Sequence, residues 1–290
     1  MSRVAVITDS CASLPDEFYE KYDIAMVPYY VHIGNRSVRD LVDMTREEFL
    51  QHLRTATELP KTANPGAGDY LQKFQDAARR TTEIVSIHMT SLGSGAYQAA
   101  LVAREMALQQ VSGVRIEVVD TRNVAMAHGW MVLEAARAAQ AGARLDDILA
   151  LIQRMIPVTR MLQTADTLRY LYMGGRIGRA QHLAGSLLRI RPLISMEDGV
   201  IVALGQERSR SAIYQRMVDL IAQKVGRGGS IKAAVIHAAD EGAAGTLRRL
   251  LEENFRCVEM LVTNLSSALA VHTGPGTVGV CYFPAEVLQP

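Results

Sequence analysis

The sequence predicts an α/β protein of two lobes, an N-terminal parallel α/β sheet domain and a C-terminal mixed α/β domain. In the first half, short apolar segments rich in β-formers alternate with helical segments, a pattern typical of a parallel sheet covered by helices. After residue 157 a hairpin signal interrupts this alternation. The length of 290 residues also lies in the range of roughly 250–300 residues at which single cores stop growing, which favours two lobes. We therefore expect domains at residues 1–157 and 158–290.

The first half begins with a buried strand at residues 4–8 and a helix start capped by Ser13. A second β-rich run covers residues 24–33, and Thr45 with Glu48 forms a capping box for the next helix. Apolar periodicity and helix-end signals predict the other elements: helices at 69–80, 96–110 and 125–140, and strands at 83–89 and 114–119.

The second half is predicted to combine a hairpin with further alternating elements. The Asp198-Gly199 pair marks a tight turn between two strands within residues 192–204. A glycine-rich break at residues 174–178 precedes a helix that we expect to reach about residue 190. The remaining predictions are helices at 166–173, 211–225 and 246–254, and strands at 158–163, 231–237, 257–262 and 278–283.

Composition excludes several classes of function. Apolar residues make up 49% of the chain and charged residues 21%, so a disordered chain is excluded. The chain has 31 basic and 30 acidic residues, and this near balance argues against a nucleic acid partner. Aromatic residues reach only 6%, whereas there are 13 methionines, so the apolar side chains are mostly flexible and aliphatic.

The cysteines and the apolar runs indicate the cellular location of the protein. Cys11, Cys257 and Cys281 are far apart, and none belongs to a CxxC pair, so we expect neither disulfides nor a zinc site. The first apolar run, residues 4–7, is too short for a signal peptide, and no run reaches the roughly 20 residues that span a bilayer. We therefore expect a cytoplasmic protein.

Loops that follow strands are the first candidates for a binding site, because parallel sheets bind ligands at the carboxyl ends of their strands. One such loop contains Asp9 and Ser10, and another contains Ser91 and Ser94 before a helix start. Hydroxyls and the N–H groups of a helix N-terminus can hold an anion. Neither the dinucleotide fingerprint nor the nucleophile elbow fits around Ser94.

An enzyme is the alternative hypothesis. A serine hydrolase acting on a small acyl substrate would use Ser94, His272 and an acid such as Asp9 or Asp120. ATP and metal chemistry have no visible motif, because a Walker A sequence and a metal-binding HExxH sequence are both missing.

Several segments together resemble the DegV family, which includes the fatty-acid-binding subunits of bacterial fatty acid kinase. Thr8-Asp9-Ser10 is similar to the opening TDS of that family, Lys61-Thr62 to its KTS loop, and His272-Thr273 with the next three residues to its HTGPG. The other matches lie at residues 90–98, 119–121, 166–177 and 188–194, in the family's order.

The resemblance implies a ligand between the two lobes. Family members hold one long-chain fatty acid there, and its carboxylate is bound by residues that match Thr62 and Ser94. The resemblance places Gly95 and His272 with them. It further places near the carboxylate, or near a product phosphate, Asp9, Ser10, Ser91, Arg176 and Thr273.

The resemblance also implies a partner. In the family system a separate kinase, similar to dihydroxyacetone kinase, phosphorylates the bound acid for phospholipid synthesis. The family protein is then a carrier without catalytic residues, cofactor or metal, and it can touch a membrane transiently. Arg208 matches the family's docking arginine, but Gln206 and Glu207 stand where the family often has Lys-Val. This departure replaces a cation by an amide and adds an acid beside Arg208, so it argues against the kinase partnership.

Overall fold

The computed structural model describes residues 3–56, 58–183 and 190–289, and their strands form three sheets. The elements of the first half are β1 (Val4–Asp9), α1 (Asp16–Lys21), β2 (Ile24–Val27), β3 (Tyr30–Ile33), β4 (Arg36–Arg39), α2 (Arg46–Thr55), β5 (Lys61–Ala63), α3 (Ala67–Ala78), β6 (Glu83–His88), α4 (Ala96–Gln110), β7 (Arg115–Asp120), α5 (Ala125–Gln140) and α6 (Leu145–Met155).

The second half begins with β8. Its elements are β8 (Arg160–Thr164), α7 (Arg169–Met173), β9 (Arg191–Glu197), β10 (Val200–Glu207), α8 (Arg210–Val225), β11 (Ser230–His237), α9 (Glu241–Asn254), β12 (Arg256–Asn264), α10 (Ser267–Thr273) and β13 (Val278–Pro284). Short 3-10 turns lie at Ser10–Ala12, Gly178–Leu183 and Ala285–Leu288.

The sheets confirm the predicted α/β class. A four-stranded sheet has the order β2-β1-β6-β7, and every neighbouring pair is parallel. A six-stranded sheet has the order β10-β9-β8-β13-β11-β12, in which only the β11–β12 pair is parallel. A small antiparallel sheet, β4-β3-β5, lies in the first half. The N-terminal sheet is thus parallel and the C-terminal sheet mixed, as the sequence predicts.

Local sequence explains where several elements begin and turn. Thr45 accepts the backbone N–H of Glu48 while the Glu48 carboxylate accepts that of Thr45, so the predicted capping box is present. The β9–β10 hairpin turns at Asp198 and Gly199, which both have positive φ. Such angles favour this type of two-residue turn between antiparallel strands.

Three expectations differ from the structure. Ser13 does not cap α1, which begins after Pro15; instead Ser13 has a φ of 51° and accepts the N–H of Ser266. The run at residues 24–33 divides into β2 and β3, which belong to different sheets. The predicted helix after the glycine-rich break begins as a 3-10 turn, and residues 184–189 lie outside the described residues.

Helix α5 lies between the two large sheets. Trp130 is fully buried, donates its indole N–H to the carbonyl of Cys281 on β13 and packs edge-on against Phe283. On the same helix, Glu134 accepts the Lys232 ammonium of β11 at 2.8 Å. One apolar cluster therefore contains residues of both sheets. Among the described residues, no helix is long and apolar enough to cross a membrane.

Candidate ligand-binding site

A cavity of about 770 Å³ lies between the N-terminal loops and the six-stranded sheet. Its volume falls within the range of about 300–1,000 Å³ that ligand pockets usually have. Both halves of the chain line it. Of the residues that the sequence predicts for the site, the lining includes Thr62, Ser91, Ser94, Gly95, Arg176, His272 and Thr273.

The floor of the cavity is one face of the six-stranded sheet. Side chains two residues apart on a strand share a face, so Met161 and Gln163 of β8 point to the same side. Gln163 pairs with Ile194 across the β8–β9 ladder, and Met196 pairs with Ile201 across the β9–β10 ladder. All five residues line the cavity. Except for Gln163, this floor is aliphatic and flexible.

Thr62 and His272 form one side of the polar part of the cavity. Thr62 lies on β5 and His272 on α10, and Thr62 Oγ1 is 2.8 Å from His272 Nε2. Burial, together with the Arg176 guanidinium, lowers the pKa of His272 to about 4. The ring is therefore neutral at neutral pH. In the described part of the chain, its other nitrogen, Nδ1, has no hydrogen-bond partner.

Ser94 and Tyr29 form the other side. The Tyr29 hydroxyl is 2.5 Å from Ser94 Oγ, which also accepts the backbone N–H of Ala96 at 3.3 Å. Burial raises the pKa of Tyr29 well above its usual value, so the phenol remains protonated. Ser94 and Gly95 immediately precede α4. The first turn of a helix leaves N–H groups without partners inside the helix, and these can receive an anion.

Two glycines allow close approaches around these groups. A Cβ at Gly95 would lie 3.1 Å from Asn64 Oδ1, and one at Gly174 would lie 2.4 Å from His272 Nδ1. The carbonyl of Gly174 in turn accepts the Arg176 guanidinium at 2.6 Å. The glycine-rich segment thereby brings an exposed cation to the cavity lining and packs against the imidazole.

Asp40 links the parts of the site from behind. This fully buried carboxylate accepts the Ser10 hydroxyl at 2.8 Å and the backbone N–H groups of Ser267 and Ala268, at the start of α10. Ser10 Oγ accepts the N–H of Tyr29. One carboxylate therefore fixes both the helix that bears His272 and the connection between β2 and β3 that contains Tyr29.

Asp9 and Ser10 are outside the cavity lining. Asp9 is fully buried and accepts the N–H groups of Cys11 and Met89, and its Oδ2 lies 3.3 Å from His88 Nδ1. Burial raises the pKa of Asp9, but hydrogen bonding to His88 and the charge of His128 outweigh burial, so that the pKa is lowered overall. Both residues act on the site through the loops that they hold.

The contacts differ from those of a hydrolase triad. His272 Nε2 faces Thr62, and Ser94 Oγ faces Tyr29. Asp120 accepts the backbone N–H groups of Ser91 and Arg122. In the described ranges, no group of three or more His, Cys, Asp or Glu side chains could hold a metal ion. Arg208 is exposed, follows β10 and is not part of the cavity lining.

A model described as an uncharacterised protein of the DegV family matches residues 3–285. The chain belongs to the DegV family. Among curated DegV domain-containing proteins, one from Streptomyces coelicolor is 34% identical over 283 residues, which is 97% of this chain and 98% of that protein.

Solved DegV structures have the same fold. A fatty-acid-binding DegV family protein from Thermus thermophilus is 30% identical and has a TM-score of 0.89, covering 97% of this chain and 99% of that one. DegV of Bacillus subtilis, described as a fatty acid binding protein, is 28% identical with a TM-score of 0.85, covering 98% and 100%. The predicted family and fold class are thus confirmed.

Several residues of the lining were not predicted from the sequence, among them Tyr29, Asn64 and Gln163. Tyr29 lies between β2 and β3, within the β-rich run at residues 24–33, where Pro28 was the available signal for a break between strands. The Asn64-Pro65-Gly66 segment is a visible turn signal, and it could have pointed to Asn64. For Gln163, a polar residue within an apolar strand was the available signal.

Proposed function

We propose that this DegV protein binds one long-chain fatty acid in the cavity, with its carboxylate beside Thr62, Ser94 and His272. The observation that supports this most is the division of a single cavity of about 770 Å³ into two parts. An aliphatic sheet face suits an acyl chain. A group of buried and partly buried hydroxyls beside a helix N-terminus suits its carboxylate.

Burial of the acyl chain supplies most of the affinity in this proposal. Each buried methylene contributes roughly 0.8 kcal/mol. A chain of sixteen carbons therefore gains up to about 12 kcal/mol, before the cost of ordering the ligand is subtracted. Methionines such as Met161 and Met196 suit a flexible ligand, because their side chains adapt to irregular shapes.

Hydrogen bonds keep the carboxylate ionised inside the protein. A buried charge is tolerated only when it is well hydrogen-bonded. One hydroxyl hydrogen of the Tyr29–Ser94 pair lies between the two oxygens, so the pair has one left for the carboxylate, and Thr62 donates a second when its oxygen accepts from His272. The neutral imidazole of His272 has one N–H, and in this arrangement Nε2 donates it to Thr62 Oγ1 and orients the Thr62 hydroxyl toward the carboxylate. The exposed Arg176 guanidinium adds positive potential from the cavity edge, and it would meet the phosphate of a product more readily than the acid itself.

Relatives support the same ligand. The DegV family protein of Thermus thermophilus and DegV of Bacillus subtilis are both described as fatty-acid-binding proteins. We extend that binding to this chain because its cavity has the required two parts. We also propose residues 1–157 and 158–290 as the two lobes that enclose the ligand.

Native mass spectrometry of the protein purified from cells tests this proposal. We expect an adduct with the mass of a long-chain fatty acid, which organic extraction removes and added acid restores. The Thr62→Ala/Ser94→Ala double variant should keep its fold by circular dichroism and lose most of the adduct. Full retention by the double variant would contradict the assignment of the carboxylate site.

The protein is proposed to present the bound acid rather than to react with it. A separate dihydroxyacetone-kinase-like protein would phosphorylate the carboxylate, and Arg208, exposed at the end of β10, would contribute to its docking. Arg208→Ala should lower acyl-phosphate formation by an added kinase without changing fatty acid affinity. Equal acyl-phosphate formation with the wild-type protein and with Arg208→Ala would contradict a role of Arg208 in docking the kinase.

A further inference from the structure

Gln163 is a polar exception in the aliphatic floor of the cavity. Its side chain is 97% buried, since only 3% is exposed, and it lines the cavity on the same face of β8 as Met161. Gly279 packs against its backbone and Cβ from β13, on the side away from β9. The residue therefore lies within the sheet rather than at its rim.

The amide of Gln163 has no hydrogen-bond partner among the residues that the structure describes. Among residues 3–56, 58–183 and 190–289, no side chain or backbone group forms a hydrogen bond with its Oε1 or Nε2. Neither of these two atoms is among the unpaired polar atoms that are completely shielded from solvent. The amide thus borders the open space of the cavity. An unpaired buried polar group is unfavourable, whereas the ligand-side groups at Thr62, Ser94 and Tyr29 all have partners.

A saturated acyl chain has no hydrogen-bond donor or acceptor for this amide. It would cover both polar atoms with methylenes and remove them from water without compensation. A hydroxyl group on the chain would instead accept from Nε2 and donate to Oε1, because an amide offers both functions. Sites that hydrogen-bond a ligand hydroxyl discriminate against the ligand that lacks it, since the protein group is then left unpaired.

We infer that Gln163 makes this cavity selective for fatty acids that bear a hydroxyl group along the acyl chain. The inference rests on the proposed fatty acid binding and narrows it to a ligand class. Gln163 contacts the chain, whereas Thr62, Ser94 and His272 contact the carboxylate, so the two determinants are separable. Selectivity requires the hydroxyl at the carbon that lies over β8.

Competition titrations with octadecanoic acid and a set of hydroxyoctadecanoic acids, differing only in hydroxyl position, test the inference. We expect one or two neighbouring positions to bind more tightly than the parent acid, by about 5- to 10-fold. Equal or weaker binding at every position would overturn the inference, including the case in which an ordered water occupies the amide. Failure of octadecanoic acid itself to bind would overturn the proposed function, and with it the selectivity.

Variants assign the preference to this residue. Gln163→Met, which is similar in size, should abolish the preference while octadecanoic acid binds at least as tightly; Gln163→Leu serves as a second replacement. Gln215→Met, the same exchange at an exposed position of α8 outside the cavity lining, is the matched control and should retain the preference. A preference that persists in both Gln163 variants would contradict the role of the amide.

Discussion

Replacing Ser94 with alanine should weaken fatty acid binding by roughly 10- to 140-fold. A hydrogen bond to a charged group contributes about 1.5–3 kcal/mol, and each 1.4 kcal/mol corresponds to about a factor of ten in Kd. Ser94 lies immediately before α4, where its hydroxyl borders the cavity. The lost binding free energy should therefore come from the contact with the carboxylate, whereas the contacts of the acyl chain remain intact.

The same substitution also affects stability, and the structure gives the size of that effect. Ser94 Oγ is 2.5 Å from the hydroxyl of Tyr29, a residue with only 4% exposure. Removing the partner of a buried hydroxyl costs about 1–3 kcal/mol. Thermal unfolding of the ligand-free variant should report this cost, and binding must be measured well below the lowered Tm.

A pair of ligands separates the two effects. Affinities for an acid and for the alcohol of equal chain length should be measured by displacement of a fluorescent fatty acid. Ser94→Ala should lose affinity for the acid and change that for the alcohol by less than about threefold, because the alcohol has no charge to stabilise. Equal losses for both ligands would refute a role of Ser94 in binding the carboxylate.

Three further predictions concern the ligand, pH and the residues behind the site. The affinity for fatty acids of increasing length should rise by about fourfold per added methylene until the cavity is filled. Equal Kd values for all chain lengths in isothermal titration calorimetry would contradict burial of the chain. By NMR the ring of His272 should titrate near pH 4 in the free protein and at higher pH with a fatty acid bound, because a nearby carboxylate favours imidazolium; an unmoved midpoint would place the carboxylate elsewhere. Since the unfolded chain binds that proton near pH 6.5, the free energy of unfolding should fall as pH decreases from about 6.5 to about 4. Asp40→Asn should destabilise the protein by about 1–3 kcal/mol and weaken fatty acid binding, because it loosens the start of α10. An unchanged midpoint of denaturant unfolding would contradict this prediction.

Strong local signals made much of the fold predictable. The helices predicted at residues 96–110 and 125–140 have these bounds in the structure, and the Asp198-Gly199 turn is where the sequence places it. Helices α6 and α10 were not predicted from the sequence. Helix α10 has seven residues, which are too few for a periodic apolar stripe, and the distant Asp40 accepts the N–H groups of Ser267 and Ala268 at its start. A long-range contact therefore helps to stabilise this helix.

The site was predictable only where a residue's role follows from its own loop. Thr62, Ser94 and His272 all line the cavity, and their contact with a carboxylate stays a prediction. Asp9 follows a strand end as a ligand-binding acid would, yet the histidines of two other elements enclose it. Gln163 was missed because a single sequence does not reveal which face of a strand borders a cavity.

A crystal structure of the protein loaded with octadecanoic acid tests the central claim most directly. The proposed function predicts density for one acyl chain against Met161 and Met196, with its carboxylate oxygens within hydrogen-bond distance of Thr62 and Ser94. A cavity filled only with water, or an acid bound with its carboxylate against the sheet floor, would contradict it.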